Sequence, residues 1–165
     1  MSLDLSGLPP GVPAPPFRLP SAGGQVHDLA DYTQQGRKVA LFFFRGTWCN
    51  GCLQMMAQLR QHAPLLAAEG WAILSIVSQR PATVAAYAQE AAIPFPILID
   101  ADRAVARLYR VYTLFRLDDV VPTVNNPQNS TFLIDGAGVI RFSYVNPRSN
   151  SGLSDSALLA ALAAV

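Results

Sequence analysis

The stretch Val39-Ala40-Leu41-Phe42-Phe43-Phe44-Arg45-Gly46-Thr47-Trp48-Cys49-Asn50-Gly51-Cys52 decides the fold. Its first six residues are all apolar, too few for a helix and without alternation, which is the pattern of a strand buried on both faces of a sheet. Arg45-Gly46-Thr47-Trp48 ends the run. From Cys49 or Asn50 onward, Leu53, Met56, Ala57, Leu59 and Arg60 bring helical spacing, with Pro64 expected to kink or interrupt the helix. A central strand therefore delivers two cysteines to a helix N-terminus.

Outward from this point the alternation continues. Trp71 to Val77 reads as a second buried strand, and Pro81 stands at a first helical position with a helix running to about Ala91. Phe95 to Ile99 is a short strand, and Asp102 caps a turn of helix from Ala104 to Tyr109. Ser130 to Ile134 and Val139 to Val145 flank Asp135-Gly136-Ala137-Gly138 as a hairpin, and Leu153-Ser154-Asp155 opens a last helix over 157–164. Upstream, Gln25 to Leu29 alternates as a short edge strand or hairpin arm would. Six of the thirteen prolines fall in the first twenty residues, so residues 1–20 are expected to form a Pro-rich leader wrapped on the surface of a domain spanning 21–165. The order of elements requires an α/β fold, a central mixed sheet with helices on both faces. Thr113 to Asn129 has little periodicity and reads as a long loop, of the kind that serves as a lid or a partner surface or is simply mobile.

Composition narrows the function. The chain has 165 residues, of which 51% are hydrophobic and only 14% charged, so it has the material for one well-filled core. A formal charge of +1 provides no field to attract nucleic acid or anionic lipid. No basic run followed by an apolar stretch opens the chain, and no segment is apolar for long enough to cross a bilayer, so a soluble, cytoplasmic protein is expected.

Two cysteines are too few for a disulfide scaffold, but Cys49 and Cys52 stand one helical turn apart and can cycle between dithiol and disulfide. The helix N-terminus favours thiolate at Cys49, the expected exposed nucleophile, while Cys52 lies one turn deeper and suits the resolving thiol. A zinc site would need about four ligands, and His27 and His62 have no paired spacing, so neither a metal nor an organic cofactor is expected. Trp48 can shield the thiols and offer a contact surface. Arg45 can stabilise a thiolate or a peroxide oxygen, although an arginine at a strand end is more often solvated.

With Pro94-Phe95-Pro96-Ile97-Leu98-Ile99-Asp100 and Thr131-Phe132-Leu133-Ile134-Asp135-Gly136-Ala137-Gly138-Val139-Ile140, the cysteine segment resembles the thioredoxin-like superfamily. The nearest resemblance is to its peroxiredoxin-like branch, the alkyl hydroperoxide reductase and thiol-specific antioxidant family. The resemblance runs from about Pro15 to the C-terminus and implies a thioredoxin-like fold. It allows two registers. In the thioredoxin register Cys49 attacks and Cys52 resolves. In the peroxiredoxin register, with motif P-x-x-x-T-x-x-C, Cys52 falls on the peroxidatic cysteine, Cys49 on the threonine and Arg45 on the proline. The arginine that this branch carries before its Phe-Leu-Ile-Asp strand would fall at Asn129. The thioredoxin register places a cis-proline at the same point, and here Pro127 stands two residues early. The Gln128–Asn129 peptide is expected to be trans, with the Asn129 amide making the groove that faces Cys49 more polar.

These readings converge on a thiol-disulfide oxidoreductase or a peroxiredoxin-like antioxidant enzyme, with Cys49 and Cys52 catalytic and Trp48, Arg45, Thr47 and Asn129 contacting substrate. The substrate would be a peroxide or a disulfide, and an external dithiol of thioredoxin or glutathione type would reduce the pair again. A homodimer stays open. The alternative is a non-enzymatic redox sensor or binding protein that keeps the fold and uses the cysteine pair as a switch.

Overall fold

The computed structural model describes residues 7–111, 128–146 and 152–165. The apolar run forms β3 (Lys38–Phe43), the middle strand of a five-stranded sheet. On one side it pairs in parallel with β4 (Trp71–Val77), which pairs in parallel with β5 (Ile97–Ile99). On the other side it pairs antiparallel with β6 (Ser130–Ile134), and β6 pairs antiparallel with β7 (Ile140–Val145). The sheet is therefore mixed, in the order β5-β4-β3-β6-β7. A separate two-stranded ribbon joins β1 (Arg18–Pro20) to β2 (Val26–Asp28).

Alternate residues of the strands feed two cores. Ala40, Phe42 and Phe44 face α2 (Asn50–Ala68), α3 (Pro81–Glu90) and α5 (Asp155–Ala163) through Met56, Leu59, Val84, Leu158 and Leu162. Val39, Leu41 and Phe43 face the other way, onto Leu29 of α1 (Leu29–Thr33) and Val105 and Ala106 of α4 (Ala104–Leu108). Helices thus cover both faces, which is why β3 from Val39 onward and β4 apart from Ser75 are apolar rather than alternating.

Three helix starts follow from side-chain caps. Asp28 accepts Ala30 N–H, Ser154 accepts Ala157 N–H, and Asp102 accepts Ala104 N–H ahead of α4. Two buried bonds reinforce α4, where both Asp100 carboxylate oxygens take the N–H groups of Val105 and Ala106. The expected break at Pro64 does not occur, and α2 continues through it to Ala68. Before the first strand, the chain from Gly7 lies along the second core. Leu8, Val12 and Ala14 pack there, Phe17 is buried, and the Tyr109 hydroxyl donates to Pro15 O at 2.8 Å. The long loop read over Thr113 to Asn129 and the question of Pro127 fall largely on residues 112–127, outside the described residues. No helix among the described residues is long and apolar enough to cross a membrane.

Candidate active site

The sheet gathers the site. Parallel pairing sets the C-terminal ends of β3 and β4 side by side, and antiparallel pairing brings the N-terminal end of β6 to the same place: Phe43 lies opposite both Ile76 and Ser130. Arg45 to Cys49, Gln79 and Asn129, each just beyond one of these strand ends, therefore meet.

Cys49 is the N-cap of α2. Its backbone is extended (φ −101°, ψ 115°), and its Sγ accepts the N–H of Cys52 at 3.3 Å, the position a serine or aspartate oxygen takes in an ordinary cap. An N–H aimed at sulfur at the positive end of a 19-residue helix is a setting that accommodates negative charge. Cys49 is not exposed, contrary to the expectation from sequence: it is only 3% accessible, because capping turns its side chain back over the first turn. Cys52 is deeper, at 0%, and the two cysteines are not joined in a disulfide. Burial first, and then the hydrogen bond with Cys49, push the Cys52 thiol up to about 11, against the opposing pull of the Gly46 backbone, the Asn129 side chain and the Arg45 backbone.

The loop before Cys49 is fixed from outside the motif. Gln79 holds Thr47 twice: its Oε1 accepts Thr47 N–H at 2.9 Å, and its Nε2 donates to Thr47 Oγ1 at 3.3 Å. The N–H and the hydroxyl of Thr47 are thereby engaged within the protein. Asn129 Oδ1 accepts Arg45 N–H at 3.1 Å and the Cys52 thiol at 3.2 Å. Asn129 is wholly buried, so its amide faces Cys52 and the loop rather than a groove at Cys49. The Arg45 guanidinium lies over the Trp48 ring at 5.4 Å, and Trp48 is 55% exposed. The ring packs across Gly46, where a Cβ would overlap it. No described peptide bond is cis, so Gln128–Asn129 is trans as expected.

All six residues singled out in the sequence thus fall in one place. Gln79 was missed. The available signal was its position immediately after a buried strand parallel to β3, since functional groups in such sheets collect beyond the strands' C-terminal ends. Gln79 also lines a cleft of about 670 Å³ with Leu19, Ser78 and Arg80. Among the described residues no three His, Cys, Asp or Glu side chains come together to hold a metal ion.

Comparison with known proteins agrees with this architecture. The family model for AhpC/TSA matches residues 10–143. The chain belongs to the AhpC/TSA family. Within reach of this AhpC/TSA member is the thiol-disulfide oxidoreductase ResA of Geobacillus kaustophilus, 32% identical over 132 residues, covering 79% of this chain and 66% of that protein. The peroxiredoxin Bcp of Escherichia coli K12 is 27% identical over 136 residues, 82% of this chain and 85% of its own length. Among solved structures, the peroxidoxin BcpB of Mycobacterium tuberculosis superposes with a TM-score of 0.79 over 94% of this chain and 97% of its own, at 23% identity. The fold is thioredoxin-like, and this AhpC/TSA member is an enzyme of the oxidoreductase class, as its named relatives are.

Proposed function

We propose that this enzyme exchanges thiols and disulfides through a Cys49–Cys52 dithiol cycle. The observation that carries the reading is the asymmetry of the pair: Cys49 Sγ receives a helix N–H, while Cys52 is the buried thiol held against Asn129. Cys49 attacks one sulfur of a disulfide substrate, giving a mixed disulfide and a released thiol. Cys52 then displaces the second substrate sulfur and closes the Cys49–Cys52 bond. An external dithiol of thioredoxin or glutathione type, as a reducing cytoplasm provides, returns the pair to the reduced form.

The exposed Trp48 ring, with Arg45 stacked on it, is the surface an incoming substrate meets. Thr47 and Asn129 act from beneath by fixing the loop. A peroxide can enter the same cycle, and the relatives named peroxiredoxins favour this second reading. Cys49 would then be oxidised to a sulfenic acid with release of alcohol or water, and Cys52 would condense with it to the disulfide, releasing water.

Two variants test the assignment. Cys52→Ser is expected to trap a mixed disulfide on Cys49, seen by mass spectrometry, and Cys49→Ser to abolish disulfide exchange. Peroxide-dependent sulfenic acid at Cys52 in Cys49→Ser would show instead that Cys52 is the attacking residue.

A further inference from the structure

Gln79 meets Thr47 through both ends of its amide, Oε1 accepting the N–H at 2.9 Å and Nε2 donating to Oγ1 at 3.3 Å. A backbone N–H can only donate, so the atom facing it is the amide oxygen, and the amide cannot be turned round. The NH₂ end can only donate in its turn, which makes the Thr47 hydroxyl an acceptor toward Gln79. The hydroxyl's own hydrogen therefore points away from Gln79, and no acceptor among the described residues takes it.

Thr47 is half-buried and stands two residues before Cys49, in a turn closed by Cys49 N–H to Gly46 O at 3.3 Å. The Cα atoms of Thr47 and Cys49 are thus at most about 7 Å apart. The N–H groups of Arg45, Thr47, Cys49 and Cys52 already go to Asn129, Gln79, Gly46 and Cys49 Sγ, so none of them is offered to a substrate. The Arg45 guanidinium lies over Trp48. The Thr47 hydroxyl hydrogen is a donor that this loop leaves over.

We propose that Gln79 is a positioning residue that turns the Thr47 hydroxyl hydrogen outward, where it hydrogen-bonds the departing sulfur of a disulfide attacked by Cys49. This rests on the reading that Cys49 attacks, and adds the donor that meets the leaving group. In this step an electron pair of the Cys49 thiolate forms the bond to the near sulfur of the substrate, and the substrate S–S bond breaks. The far sulfur leaves with the electron pair of that bond and takes up a proton from water, so Cys49 is oxidised and the departing half is reduced. Thr47 keeps its proton throughout and stabilises the negative charge as it develops. An alkyl thiolate is more basic than an aromatic one, leaves less readily and gains more from the donor.

The test uses the reduced full-length protein in single turnover with an excess of either of two uncharged disulfides. One is bis(hydroxyethyl) disulfide, an alkyl substrate, and the other is dipyridyl disulfide, whose leaving group is a weak base. Thr47→Val removes the hydroxyl at similar shape. It should slow reaction with the alkyl disulfide about five- to twentyfold and with dipyridyl disulfide by no more than about twofold. Gln79→Glu keeps an oxygen for Thr47 N–H, but its second oxygen accepts where the NH₂ group donated, and so draws the hydroxyl hydrogen inward. It should show the same selective loss, and the double variant should be no slower than Thr47→Val alone. A Gln79 that merely tethers the loop would tolerate Glu, and the field of the new carboxylate acting by itself would add to the loss in the double variant.

Equal slowing of both disulfides in Thr47→Val, wild-type rates in Gln79→Glu, or additive losses in the double variant would overturn the proposal. If the variants do not fold, the wild type decides: over a series of neutral disulfides its rates should fall less steeply with leaving-thiol basicity than those of dithiothreitol, and an equal slope would overturn the proposal. Cys49→Ser separates the two levels. If it still reduces both disulfides, the assignment of Cys49 as attacker fails; if it reduces neither, a negative result with Thr47→Val and Gln79→Glu counts against the hydroxyl donor alone.

Discussion

Gly46 shows how little room the loop before the cysteines has. Its carbonyl accepts Cys49 N–H at 3.3 Å, its neighbours Arg45 and Thr47 are tied to Asn129 and Gln79, and the Trp48 ring lies where a Cβ would stand. The ring is more than half exposed, so it can swing into solvent when a methyl group arrives. Gly46 is itself buried, but the group that must move is exposed, so Gly46→Ala is expected to change stability by no more than about 1 kcal/mol while releasing Trp48 from Arg45. Tryptophan fluorescence at unchanged denaturation midpoint checks this, the Trp48 emission moving to longer wavelength. A loss of several kcal/mol would mean instead that the ring is clamped and the backbone has to give.

Pro64 makes the corresponding case for an element. Proline removes a helix N–H and crowds the carbonyl four residues back, so the segment by itself favours a break after Ala63. Yet α2 continues to Ala68, because Leu66 reaches the same core as Cys52, Met56 and Leu59, and tertiary burial outweighs the local preference. Pro64 is exposed, so Pro64→Ala should restore a helix bond without a cavity and stabilise the protein by about 1–3 kcal/mol in urea titration. Disulfide exchange by Cys49 and Cys52 should not change, since twelve residues of helix place Pro64 roughly 18 Å from Cys52. A destabilised variant would show that the proline ring itself packs usefully. The same contrast explains what could be read in advance. Runs such as Val39 to Phe44 and Trp71 to Val77, and the Ser154 cap, carry their structure locally and were legible. That Cys49 caps its helix by turning inward, and that Gln79 closes on Thr47 across 32 residues, depend on strand register and packing, which spacing along the chain does not encode.

Across the whole molecule, buried protons link the two cores to pH. On one face of the sheet Cys52 is held up to about 11. On the other, burial pushes Tyr109 far above the ordinary phenol range, with its ring against Phe17, Phe43 and Phe132 and its hydroxyl tied to Pro15. In each case the folded group keeps its proton over a range in which the unfolded chain, with values of about 8.5 for cysteine and about 10 for tyrosine, has released it. The native state then binds more protons than the unfolded one, so stability is complete below about pH 8.5 and falls as pH rises through the folded value of each group. The reduced protein should show a constant urea midpoint from pH 7 to about 8.5 and a steady decline above pH 9. Cys52→Ala should flatten the first part of that decline, between pH 9 and pH 11, although it lowers the midpoint at neutral pH by leaving a small cavity. Tyr109→Phe should flatten only the more alkaline part, because it removes the phenol while keeping the ring that fills the second core. A midpoint in Cys52→Ala that declines as steeply as wild type over pH 9 to 11 would show that the Cys52 thiol titrates alike in the folded and unfolded chain.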